Sequence, residues 1–232
     1  MEGQVLSHQR DGDVLVVRMD DGKANALSPA MLEALDGAMA EAEANAKALV
    51  LTGRPGRFCA GFDLKIMMSG FEHATALVRQ GAKVLMRLYM HPQPVVIACS
   101  GHALAGGALV VLCGDHRVGT QGDFRIGLNE VAIGMPLPIL AHELARDRLD
   151  PRHFTSATLM AEQMSPELAV AAGYLDETAA ADAVMDTALA KARQLAELPA
   201  QPYKLTKRSI RRRTVDHILA TVEDNIREFT IG

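Results

Sequence analysis

Residues 126–134, "IGLNEVAIG", place a single carboxylate, Glu130, in a run that otherwise has the composition of a buried segment. Taking an ionised carboxylate out of water is costly unless it is paired or hydrogen-bonded, and without partners its pKa climbs. A glutamate raised toward neutrality is suited to taking and returning protons. The structural alternative is a helix-capping or salt-bridged Glu.

Two glycine-rich stretches offer a second kind of chemistry. "GRPGRFCAGFDL" (53–64) reads as a loop with three glycines, and "GHALAGGA" (101–108) turns sharply after a Val-rich run. The second opens a helix, whose N-terminus carries partial positive charge. Backbone NH groups from both, aimed at one point, would form an oxyanion hole, in which each donor contributes about 2.7–4 kcal/mol to the transition state. Two ordinary tight turns are the alternative. Other chemistries fail residue by residue. The 101–108 spacing is that of a phosphate loop, but Gly107 stands in place of Lys and Ala108 in place of Ser or Thr. Ala98 occupies the first glycine position of a nucleophile elbow in "IACSG", which leaves Ser100 as a strand-end residue. "HELAR" (142–146) begins like a zinc-binding helix, yet Arg146 stands where the second His must be. Cys59, Cys99 and Cys113 form no CxxC pair and are odd in number, so neither a disulfide framework nor a metal site is expected.

The elements that position these residues follow from periodicity. "DVLVVRM" (13–19), "ALVLTG" (48–53), "PVVIACSG" (94–101) and "HRVGT" (116–120) read as strands. Ser28 is a good N-cap and Pro29 suits the first position of a helix whose apolar face begins with Met31, Leu32 and Leu35. Helical spacing resumes over 74–90, and "GGALVVLCG" (106–114) is a buried helix entered through glycines. From Pro136 the pattern is mostly helical, with caps at Ser165-Pro166 and Glu177-Thr178 and a last helix over about 202–229. Strands alternating with helices and then a run of helices predict an α/β core with an α-helical C-terminal part.

At 232 residues the chain fits one large domain, or a domain with an appendage. It has no Trp, 4% aromatics and 12 Met, so its core must be aliphatic. A formal charge of −4 gives no overall footprint for nucleic acid or an acidic membrane. No apolar run reaches membrane-spanning length and the start lacks a signal-peptide pattern, which leads us to expect a soluble, cytoplasmic protein.

Four stretches, taken in order, resemble the enoyl-CoA hydratase/isomerase (crotonase) superfamily: "GKANALS" (22–28), "RFCAGFDLK" (57–65), "GHALAGGALVVLCGDHRVG" (101–119) and "IGLNEVAIGMPLP" (126–138). The resemblance runs from about residue 13 to 180, and "KLTKRSI" fits the family's C-terminal part. It implies a spiral of ββα units over 1–180, a helical trimerisation region over 181–232, and an acyl-CoA substrate handled by a homotrimer or hexamer. No cofactor is implied beyond the coenzyme A that the substrate carries. By position, the NH groups of Phe62 and Gly106 would hold the thioester oxygen. The backbone near Lys23, Ala24, Ala60, Asp63 and Leu64 would touch the adenine and pantetheine of coenzyme A. Glu130 falls at the position of a catalytic glutamate.

One departure bears on the reaction. Hydratases of the superfamily carry a second glutamate three residues after the oxyanion glycine, and here that residue is Leu109. Adding water needs one group to hold and deprotonate the water and another to protonate carbon, whereas moving a proton along a bound enolate needs one. The resemblance therefore points to a Δ3,Δ2-enoyl-CoA isomerase, with hydratase as one alternative and hydrolase, dehalogenase and decarboxylase as others, whose extra groups would come from 66–73 or Glu143. An RNA-binding relative is the remote alternative. The basic run "KLTKRSIRRR" (204–213) lacks interleaved aromatics for base stacking, and a solvated helix face is its expected use, followed by contact with CoA phosphates. Met67 and Met68 are expected to be exposed and to wall the acyl pocket, with Leu85 and Met86 as ordinary core.

Overall fold

The computed structural model describes residues 5–228. Strands β1 (Leu6–Asp11) and β2 (Val14–Met19) form an antiparallel hairpin turned by Gly12 at φ +60°. From β2 the sheet continues in parallel through β3 (Ala48–Thr52), β5 (Val95–Cys99), β7 (His116–Thr120) and β9 (Glu177–Ala179). A second, parallel sheet stacks β4 (Gly56–Cys59), β6 (Gly101–Leu104) and β8 (Ile126–Gly127). Three successive turns of the chain, β3–β4, β5–β6 and β7–β8, thus give one strand to each sheet before a helix follows, which is the expected spiral of ββα units.

Alternation decides what each face of the large sheet buries. Leu15, Val17, Leu49, Leu51, Val95 and Ile97 face the main core, shared with α1 (Pro29–Asn45), α3 (Phe71–Tyr89) and α4 (Gly106–Cys113). Val14, Val16, Ala48, Val50, Val96, Ala98 and Val118 face the other way and are covered by Val184, Ala188 and Ala192 of α8 (Val184–Ala196). Burial on both sides explains why these strands read as continuous apolar runs.

The expected caps hold where they rest on Ser. The Ser28 hydroxyl accepts from Met31 N at 3.2 Å, and that of Ser165 from Leu168 N at 3.3 Å, at the start of α7 (Pro166–Ala172). Glu177-Thr178 is not a cap. It lies in β9, where Thr178 pairs with Gly119, because the chain just before it is pinned by Arg117 and Asp176, whose Nε–Oδ2 distance is 2.9 Å. The stretch 53–64 is likewise not all loop: residues 56–59 are a strand, concealed by Gly56 and Arg57 although Phe58 and Cys59 are buried. Strand β1 gives no apolar signal because, after Leu6, it is largely exposed at the sheet edge.

Helix α9 (Ala200–Glu228) packs against α3 and α5 (Ile139–Arg148), with Val215, Ile218, Val222 and Ile226 buried. Phe229, the expected helix end, lies outside the described residues. The basic run on α9 is not simply a solvated face. Lys207 and Arg211 turn inward onto Asp115, at 2.6 and 2.8 Å, while Lys204, Arg208, Arg212 and Arg213 remain exposed. Among the described residues no helix is long and apolar enough to cross a membrane.

Candidate active site

The two glycine stretches meet where the small sheet ends. After β4 the chain passes Ala60 and Gly61, the latter at φ +96°, before Phe62. After β6 it passes Ala105, at φ +50°, and enters α4 at Gly106. A non-glycine residue at positive φ is strained and persists only where its surroundings fix it. Here the Ala105 NH donates to the Gly127 carbonyl at 2.9 Å, and its carbonyl accepts from Ala108 at 2.9 Å.

The approach of the two loops leaves no room for side chains. A Cβ on Gly61 would lie 3.0 Å from Gly106 N, and one on Gly106 would lie 3.2 Å from Phe62 N. The Phe62 and Gly106 NH groups are therefore neighbours, at the N-terminus of α4, and neither donates to an acceptor among the described residues. Two free donors at a helix N-terminus can hold an oxygen that gains negative charge.

Leu27 and Asn25 brace this arrangement from the β2–α1 connection. Leu27 N donates to Gly61 O at 2.8 Å and Leu27 O accepts from Asp63 N at 3.4 Å, so the loop is gripped on both sides of Phe62. Asn25, fully buried at φ +55°, donates its amide to the carbonyls of Met19, Arg57 and Phe58 at 3.0–3.1 Å. Sequence reasoning missed Asn25; its signal was an Asn amid turn residues, where left-handed backbone is tolerated.

Glu130 leaves β8 three residues after Gly127, the partner of Leu104 in β6, and begins the 3-10 turn Val131–Ile133. It is 7% exposed, and burial raises its pKa to about 7, opposed only by a hydrogen bond to its own backbone. Among the described residues one of its carboxylate oxygens is buried without a hydrogen-bond partner, and Glu130 takes part in no ion pair. The question the sequence raises is thus answered in favour of a raised pKa over a salt bridge. Tyr174, fully buried, lies close enough for the Glu130 charge to add to the burial that raises its own pKa. No pattern in the sequence points to this neighbour. Leu109, one turn into α4 from Gly106, is fully buried.

The five remaining positions cluster in part. Ala24 O accepts from Ala60 N at 3.0 Å, and Lys23 O accepts from Arg54, which joins the β2–α1 connection to the first glycine loop. Asp63 caps α2 (Leu64–Met67) through Lys65 N at 2.9 Å, and Leu64 is exposed. Of the two methionines, Met68 is exposed as expected, but Met67 is half-buried against the core. Glu143 contacts His142 and Arg146, and with Arg146, Arg213 and His217 it lines a cleft between α5 and α9. Among the described residues no cluster of His, Cys, Asp and Glu could hold a metal. A cavity of about 950 Å³ lies between β1 and α1 and is lined by Leu6, His8, Asp20, Ala34 and Glu41 among others. It contains none of Phe62, Gly106 and Glu130, and the candidate site is defined by the two glycine turns and the buried acid.

A spiral of ββα units carrying two facing glycine turns and a buried glutamate defines a class, and comparison with known proteins gives it a name. Residues 9–230 match the enoyl-CoA hydratase/isomerase family, and the chain belongs to it. It is 29% identical to the mitochondrial enoyl-CoA delta isomerase 1 of Mus musculus over 193 residues, 82% of this chain and 67% of that protein. The structure of a probable enoyl-CoA hydratase of Mycobacterium tuberculosis superposes with a TM-score of 0.94 at 40% identity, covering 98% of this chain and 97% of that one. Human mitochondrial delta3-delta2-enoyl-CoA isomerase superposes with a TM-score of 0.93 at 26% identity, covering 97% and 90%.

Proposed function

We propose that this enzyme is a Δ3,Δ2-enoyl-CoA isomerase in which Glu130 is the sole proton shuttle. The observation that carries the reading is the pairing of a buried Glu130, with one carboxylate oxygen unpartnered and its pKa raised to about 7, and an apolar Leu109 where a second acid would be needed to add water. The names borne by the murine and human relatives agree with it.

The chemistry runs as follows. The backbone near Lys23, Ala24, Ala60, Asp63 and Leu64 receives coenzyme A, and the thioester carbonyl of a 3-enoyl-CoA accepts from the Phe62 and Gly106 NH groups. The Glu130 carboxylate takes a proton from C2. The electron pair of that C–H bond moves onto the thioester oxygen and gives a dienolate, whose charge the two NH groups and the α4 terminus stabilise. Glu130, now a carboxylic acid, returns the proton at C4 as the carbonyl re-forms, which leaves the double bond between C2 and C3. A base whose pKa lies near the working pH exchanges protons in both directions with little penalty. Leu109 keeps a nucleophilic water from being held at C3. The proton and the electrons balance without a further cofactor.

Hydration is the second reading, since the mycobacterial relative is named both a probable enoyl-CoA hydratase and an enoyl-CoA isomerase. A side-by-side assay of 3-enoyl-CoA isomerisation and 2-enoyl-CoA hydration separates the two: the proposal requires isomerisation to dominate, and efficient hydration with no isomerisation overturns it. Assembly as a homotrimer or hexamer and a cytoplasmic location belong to the same proposal. Sedimentation of the purified protein and fractionation of the source cells test them.

A further inference from the structure

The interior of α3 contains a glycine that the helix itself does not need. Gly81 is buried eleven residues into this 19-residue element, and its backbone is not in the left-handed region, so no conformational demand excludes Ala there. Alanine would favour the helix. What opposes it is space: a Cβ on Gly81 would lie 2.3 Å from Cε1 and 2.5 Å from Cζ of Phe62, so the ring would have to leave its seat. The Phe62 ring rests flush on the α3 backbone.

That contact completes the support of one residue. Hydrogen bonds from Leu27 hold the main chain on either side of Phe62, and Gly61 sets the turn before it. The ring is the third point of attachment, and the helix it rests on is fixed in the core by Leu77, Val78, Ala82 and Leu85. We propose that Gly81 is a positioning residue for the Phe62 NH, seating the ring so that this donor points at the thioester oxygen. The inference rests on the oxyanion role given to Phe62 above and assigns Gly81 a part in the same reaction without contact with substrate.

The test is a double-mutant cycle of G81A and F62A, read as cleavage of the C2–deuterium bond of a C2-labelled 3-enoyl-CoA, whether the label moves to C4 or to water. F62A keeps the main-chain NH and removes the ring. G81A alone should lower kcat for C2 cleavage by about tenfold to a hundredfold, the cost of a small misplacement of a reacting group, with KM little changed. In the F62A background the same substitution should change kcat by less than about twofold, because the clash is gone. A folded G81A protein with wild-type kcat overturns the inference, as do losses that multiply in the double variant, because an effect on the helix alone does not depend on the ring. If G81A fails to fold, the comparison of G81A/F62A with F62A decides by the same limit, and a double variant that fails to fold also counts against it. Wild-type enzyme that cleaves no C2–deuterium bond removes the enolate reading itself, whereas wild-type cleavage matched by G81A removes only the role of Gly81.

Discussion

Gly107 and Cys59 approach so closely that a methyl group on the former would lie 2.0 Å from the carbonyl oxygen of the latter. This main-chain contact between α4 and the end of β4 sets the separation of the two glycine turns. A carbonyl held at the end of a strand cannot swing aside, so the helix would have to withdraw. G107A should therefore move Gly106 away from Phe62. We expect kcat to fall by about a hundredfold or more, the loss seen when one oxyanion donor is removed, together with a lower melting temperature. A G107A enzyme with native turnover would show that this contact does not govern the site.

The raised pKa of Glu130 makes two opposite predictions for activity and stability. As a base, Glu130 must be ionised, so kcat/KM should rise with pH through about 7 and fall away below it. Stability runs the other way. The folded protein binds this proton more tightly than the unfolded chain does, so stability is lost as pH rises from the ordinary carboxyl pKa of 4.5 through about 7. A difference of this size corresponds to about 3 kcal/mol above neutrality. E130Q removes the buried charge, and should lower turnover by about 10²–10⁴-fold while raising the melting temperature at pH 8. Thermal melts across pH 4–9 check the second half independently of any substrate.

Asp115 is the counter-charge for two buried cations. Burial works against its ionisation, yet Lys207 and Arg211 hold its pKa below the usual range, and Lys207 itself is pushed down to about 8, chiefly by burial. Removing one partner of a buried pair strands the others, at a cost of about 3–5 kcal/mol. D115N should lower the midpoint of urea unfolding accordingly, and the deficit should persist at high salt because the pair is shielded from solvent ions. A loss below about 1 kcal/mol, typical of exposed pairs, would mean that α9 is not held here.

How much of this was legible in the sequence varies with the physics of each feature. Strands buried on both faces, such as β3 and β5, announce themselves as apolar runs, and α1 is marked by Ser28 and Pro29. Strand β4 was concealed because its first two residues are a glycine at φ +78° and an exposed arginine rather than strong β-formers. The inward turn of Lys207 and Arg211 was illegible because a basic run looks the same whether or not an acid distant in sequence, Asp115, waits beneath it. Glu130 stood out because an acid is conspicuous in apolar surroundings. Asn25 and Gly81 did not, since what they do depends on backbone atoms and a ring brought close by the fold.

Leu109 offers the converse experiment, a gain in place of a loss. It is fully buried, one helical turn from Gly106, so a carboxylate introduced there would enter the site region on the same element that presents the oxyanion donor. In the proposed isomerase nothing else holds a water against C3 of the substrate. L109E supplies a second acid that can do so, and its own burial should raise its pKa, as burial does for Glu130. The cost is an additional buried polar group of about 1–3 kcal/mol, so the melting temperature should fall. If Leu109 is what excludes water, L109E should gain measurable hydration of 2-enoyl-CoA while 3-enoyl-CoA isomerisation declines. A folded L109E protein whose hydration remains at the wild-type level would place the barrier to water addition elsewhere, in the width of the pocket rather than in the missing acid.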